Sequence, residues 1–191
     1  MLLFLAVTLF AVIHLIPAFP SLKARLKDRL GRKYGMIFAV GSTLSLILIV
    51  VGWQMADRSI VYDPPGWGFS ANMALSLVAF LLLGVFLFRG RMRQILRLPL
   101  AMGVVLWSVG HLLANGDRAS VILFGGLLGY SVAHLVAGFS QGFRSSPEVR
   151  QGHDVIAVFV GVALYGVMIQ MHQYFPGVAL FSIQDMAIFA K

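Results

Sequence analysis

The sequence predicts an all-α fold, a polytopic transmembrane helical bundle of six spans that forms one domain over residues 1–191. Three observations carry that expectation. Hydrophobic residues make up 59% of the chain and charged residues only 12%, with a mean hydropathy of +0.88. A soluble domain of this size needs more polar side chains to cover its surface. Apolar runs at 2–19, 36–55, 71–88, 98–114, 119–143 and 155–171 each approach the length that crosses a ~30 Å hydrocarbon core at ~1.5 Å per residue. Between them, basic residues gather in alternate connections.

The first run, Leu2 to Phe19, has no basic residues before it and no small-residue cleavage site after it. It reads as an uncleaved first helix that Pro17 and Pro20 end. The stretch 21–35 holds Lys23, Arg25, Lys27, Arg29, Arg32 and Lys33 against a single Asp28. Leu22, Leu26 and Leu30 recur at helical spacing, so an amphipathic surface helix and a solvated linker are both open readings. In the second run, Ser42, Thr43 and Ser45 are tolerable because hydroxyls bond to helix carbonyls, and Trp53 marks the far interface. Asp63-Pro64-Pro65-Gly66-Trp67 is a rigid turn before the third run. Asn115-Gly116-Asp117-Arg118 is a tight turn between the fourth and fifth. Gly125, Gly129 and Ala133 have the small-residue spacing that lets membrane helices approach. The tail from 172 to 191 is apolar but short, and is expected to lie at the interface.

Twelve of the fifteen Lys and Arg residues fall in the connections 20–35, 89–97 and 144–154. The positive-inside rule puts those connections in the cytoplasm and both termini outside, in the periplasm if the membrane is a bacterial inner membrane. The same placement explains the net charge of +8 through orientation and anionic lipid headgroups, which argues against nucleic acid as a partner. The lipid bilayer is the expected partner, with a hydrophobic small molecule or a redox protein as further candidates. With no cysteine in the chain, disulfides, thiolate metal sites and cysteine nucleophiles are excluded.

The chemistry then rests on five histidines. His153 and His172 sit at span ends, where water reaches them. His14, His111 and His134 lie within spans, where an imidazole without a partner costs several kcal/mol or so. His14 and His134 are each ~9–13 Å below the cytoplasmic surface, on different helices; His111 is ~20 Å from it, in the outer half. Trp107 and Asn115 flank His111 one turn away on either side. Hydrogen bonding to a carbonyl or a hydroxyl such as Ser131 is the structural explanation for such residues. No Asp, Glu, Lys or Arg lies inside a span, which disfavours a proton pump or proton-coupled carrier. Neutral imidazoles without carboxylates suit a haem iron better than hydrolytic zinc, so a bis-His haem b is the sharpest chemical expectation.

The strings LFAVIHLIPAFPSLKARL and LPLAMGVVLWSVGHLLANGDRASVILFGG resemble the NnrU family, over most of the chain and including the six-span layout. The resemblance implies a link to nitrite and nitric oxide metabolism in denitrifying bacteria. Its plant and cyanobacterial relative, 15-cis-zeta-carotene isomerase, looks like a haem b enzyme, which implies iron ligation at His14 and at the W-x-x-x-H histidine, His111. That pairing and the depths disagree by ~11 Å along the membrane normal for upright helices; helix tilt closes part of the gap. Arg97-Leu98-Pro99 with Gly103 is similar to an R-H-P-x-x-x-G string shared with membrane isoprenylcysteine methyltransferases. Here Leu98 replaces the histidine and the C-terminal acidic motif is absent, so Arg97 and Pro99 read as an anchor and a helix start. Three functions follow as expectations: a haem protein of nitrogen-oxide or respiratory chemistry, a polyene cis-trans isomerase with a lateral cleft lined by Phe80, Phe124, Phe139 and Tyr130, and a non-catalytic assembly partner.

Overall fold

The computed structural model describes residues 1–144 and 148–174, and those residues are helical almost throughout. Helix α1 spans Leu2–Leu15 and runs into a 3-10 turn at Ile16–Ala18. Pro17 sits in that turn and Pro20 opens α2, Pro20–Leu30, so the two prolines break the chain where the sequence predicts. α2 leaves the line of α1 by 98°, and the basic stretch is a surface helix rather than a linker. Next come α3 at Lys33–Gln54, α4 at Gly68–Leu87 and the short α5 at Arg91–Leu96. The series ends with α6 at Pro99–Ala114, α7 at Arg118–Ser140 and α8 at His153–Met171.

Four of these, α3, α4, α7 and α8, are long and apolar enough to cross a membrane, and α1 with α2 counts as a fifth if the bent pair is one span. α6 is apolar but has 16 residues, ~24 Å of rise against a ~30 Å core. The coarse expectation of an all-α membrane protein holds; the described helices support four to five spans by length. The fifth run ends earlier than expected, at Ser140 rather than Phe143, and α5 forms inside a connection read as a plain linker. The tail expected at the interface lies outside the described residues beyond Tyr174.

The helices pack in the order α3–α1–α7–α6–α4–α8, each touching its neighbours in that row. Side chains at the seams are small. A Cβ on Gly84 of α4 would collide with the Ala157 carbonyl of α8, and one on Gly161 would meet Leu81 of α4 at 2.9 Å. Gly110 of α6 likewise lies against Asn72 of α4. Small residues let backbones approach where lipid gives no hydrophobic drive for association. The expected Gly125/Gly129 contact is not made: a Cβ on either would meet no other helix within 4 Å, and Gly126 is the one that lies against Val7 of α1. The helical phase explains the correction, because α7 turns position 126, not 125, toward α1.

Two clamps close the ends of the row. At one, Val61 and Tyr62 donate backbone N–H groups to Gly116 O, and Arg118 N–H donates to Ser59 O. Asp117 caps α7 through Ser120 N at 3.1 Å, and Arg118 pairs with Asp57 at 3.2 Å. At the other end, the Asp154 carboxylate of α8 accepts from Arg91 N at 2.9 Å and Met92 N at 3.0 Å, capping α5 from across the fold. Arg97 then ends α5 at φ 61, and fully buried Pro99 opens α6.

Gly84→Val should therefore lower stability by roughly 1–3 kcal/mol, as overpacking does, while Gly125→Ala should be neutral. Thermal unfolding of the detergent-solubilised variants reads both; equal melting temperatures would contradict this packing.

Candidate functional site

Each of the three membrane-depth histidines follows an aromatic residue by four positions: Phe10 and His14, Trp107 and His111, Tyr130 and His134. In a helix that spacing stacks the two side chains one turn apart. The rings of Phe10 and His14 stack at 3.9 Å, those of Trp107 and His111 lie 4.7 Å apart, and those of Tyr130 and His134 5.8 Å apart.

The same turn satisfies one ring nitrogen. His14 Nδ1 lies 2.9 Å from Phe10 O, and His111 Nδ1 lies 2.9 Å from Trp107 O. A carbonyl only accepts, so Nδ1 donates and carries the proton. Nε2 then keeps its lone pair and points away from the helix backbone as an available ligand. His134 Nδ1 lies 3.4 Å from Tyr130 Oη, a long contact. The partner of His14 is thus its own helix, not the Ser131 hydroxyl; Ser131 is fully buried and its Oγ has no partner among the described residues.

The structure brings His14 and His134 together. Tyr130 of α7 lies edge-on to His14 at 6.3 Å, to His134 at 5.8 Å and to Phe10 at 5.5 Å, and Phe38 of α3 closes on His14 at 5.8 Å. α1 and α7 are neighbours that run the same way, with Val7 beside Gly126 and Phe10 beside Tyr130. His14 and His134 are therefore level. His111 is elsewhere. Its ring stacks on buried Phe124 at 4.3 Å, and Phe124 also meets Trp107 and Trp53. Phe124 and Tyr130 are six residues apart on α7, ~9 Å of rise and roughly a third of a turn out of phase. His111 thus shares no ring neighbour with His14.

The four aromatics expected to line one lateral cleft do not converge. Phe80 pairs with Tyr165 at 5.9 Å, Phe124 belongs to the His111 group, Tyr130 to the His14 group, and Phe139 is exposed. A smaller apolar pocket of about 150 Å³ does exist between α4 and α6, where Phe80, Leu83, Gly103 and Trp107 are among its walls. Trp107 separates it from His111. No group of three or more His, Asp or Glu converges among the described residues. His153 sits at a helix end with Nδ1 accepting from Arg89 N–H at 3.2 Å.

Sequence reasoning placed the histidines but overlooked two features. The aromatic at i−4 stands in all three segments. Tyr62 gave no local signal. Its hydroxyl donates to Leu112 O and lies 2.9 Å from Asn115 O, closing the last turn of α6 just beyond His111. Burial, and then the Asp117 carboxylate, push the Tyr62 phenol above its ordinary 10.0, so it stays a donor across the physiological range.

Among protein families, the model described as NnrU protein matches residues 2–180. No curated protein and no solved structure matches the chain.

Tyr62→Phe should leave these carbonyls without their donor and destabilise the α6 end by about 1–3 kcal/mol. Hydrogen exchange should rise at residues 112–116 and not in α8; unchanged exchange there would remove Tyr62 from this role.

Proposed function

The chain belongs to the NnrU family, and from that premise we propose that it is a haem b protein of the bacterial inner membrane, serving nitrite and nitric oxide metabolism in denitrification. One observation carries the reading: His14 and His134 meet around Tyr130 at one level on parallel helices, with His14 Nε2 free of any hydrogen bond among the described residues. Two level imidazoles on neighbouring helices are a donor set that could hold a haem, with His14 and His134 as its ligands. A haem held there would supply one-electron chemistry.

The residues at hand fit that group. Phe10 O holds the His14 ring and raises the basicity of Nε2. Phe10, Phe38 and Tyr130 give the apolar, aromatic surroundings that keep water away from it. Tyr130 Oη orients His134. His14 is the ligand common to both pairings; geometry supports His134 as its partner, whereas the family resemblance implies His111.

We place α6 as a further span, giving six with α1, α3, α4, α7 and α8. Its 16 residues are apolar, and the Tyr62 clamp and buried Pro99 hold its two ends at opposite sides of the row. The basic asymmetry then sets both termini in the periplasm.

A second reading, a haem-dependent isomerase of a carotenoid-like polyene, draws support from the apolar pocket between α4 and α6. It is lined by hydrocarbon groups and is one tryptophan ring away from His111.

Wild-type protein from haem-sufficient cells should show a Soret band, and His14→Ala should abolish or blue-shift its low-spin spectrum. His134→Ala should do the same, with His111→Ala leaving the low-spin form; the reverse outcome would assign the second ligand to His111. A colourless wild type would end the haem reading. Reporter fusions at Gly31 and Arg91 should both report cytoplasm, and a periplasmic signal from either would overturn the orientation.

A further inference from the structure

We propose that α2 is a docking surface for anionic phospholipid headgroups, with the apolar side of the helix sunk into the leaflet where α1 ends. The argument begins with the order of residues around the helix. At about 100° per residue, Leu22, Leu26 and Leu30 share an arc of about 80°. Lys23 and Lys27 follow on one side of that arc, and Arg25 and Arg29 on the other. Ser21, Ala24 and Asp28 occupy the far side. Four cations thus border an apolar stripe on both flanks, with the acidic residue opposite. A solvated helix has no reason to sort its charges in this way. A helix lying in a headgroup layer does, because its cations snorkel from the stripe to the phosphates on either side.

The fold sets this helix in the right plane. The 98° bend turns α2 across the end of the membrane-crossing α1. α2 has no fully buried residue, and Phe19 and Leu22 remain 41% and 43% exposed. Leu26 and Leu30 are half-buried, and α2 packs against the 3-10 turn and α3, so the helix lies along the end of the bundle. Lys23, Arg25, Lys27 and Arg29 form no ion pair among the described residues. The charge of α2 is thus left for an external anion, and the adjoining apolar arc selects a lipid over a soluble one.

The chain has no cysteine, so a single introduced thiol takes a label cleanly. An environment-sensitive fluorophore at Leu22→Cys reports the stripe, and one at Asp28→Cys the far side. The full chain is reconstituted in phosphatidylcholine vesicles with or without phosphatidylglycerol. With phosphatidylglycerol, the label at 22 should blue-shift and resist aqueous quencher, while the label at 28 stays quenchable. Raised salt should weaken the shift. Lys23→Gln or Arg29→Gln should each lower the preference for phosphatidylglycerol about fivefold, the factor that ~1 kcal/mol per cation converts to. A label at 22 that reads water in both lipid mixtures overturns the proposal, as does equal emission in both or unchanged preference when all four cations become Gln. A soluble duplex nucleic acid or acidic peptide that shifts the label where phosphatidylglycerol does not also overturns it, and makes the surface a site for a soluble polyanion.

Discussion

An imidazole in hydrocarbon needs a partner for its N–H, and here His14 and His111 take that partner from the carbonyl one turn earlier on their own helices. This local bond decides much else. It costs no partner helix, so the rings stay put without a polar network across the row. It fixes the tautomer, leaving Nε2 as the nitrogen that faces outward from the turn. It also places each ring against the aromatic at i−4, so the histidines are held by stacking as well as by the bond. Preorganisation of this kind is what a ligand to a bound group would need.

Helix seams and end clamps preserve the arrangement. Glycine and alanine at the α4–α8 and α4–α6 contacts bring backbones close enough for dispersion to hold them without large side chains. Polar bonds then concentrate where water is present to make their absence tolerable during folding. Asp117 caps α7 and Asp154 caps α5, one at each end of the row. Tyr62 belongs to the same logic, since its hydroxyl satisfies carbonyls that the end of α6 would otherwise leave open.

Much of this was legible in the sequence. Long apolar runs bounded by prolines and basic clusters located every long helix, because a span must satisfy its own backbone and so must be continuous. The order of helices in the row was not legible. A soluble helix marks its exposed side with polar residues, but a lipid-facing side is as apolar as a packed one. The misreading of Gly125 and Gly129 comes from that loss of contrast: the spacing is right, and nothing in it says which phase faces α1. The Tyr62 and Asp154 contacts join residues far apart in sequence, 53 and 63 positions, and no local pattern announces them. The candidate site was half legible. Depth alone placed His14 level with His134, and the aromatic spacing before each histidine stood in plain view.

Direction of travel explains why depth worked for that pair. α1 and α7 enter from the same side, so residues at matching distances along them fall level, and Val7 beside Gly126 carries the register on to Phe10 beside Tyr130 and to the two histidines. α6 runs the opposite way and lies beyond α7 in the row. His111 therefore approaches α7 from its other neighbour and higher up, at Phe124. For His111 to share one ligand with His14, it would have to reach past the body of α7 and down by about six residues of rise, ~9 Å. A rigid tilt of α6 does not supply both, because the Tyr62 clamp ties its far end to the 57–62 loop and buried Leu98 ties its near end to Gly138.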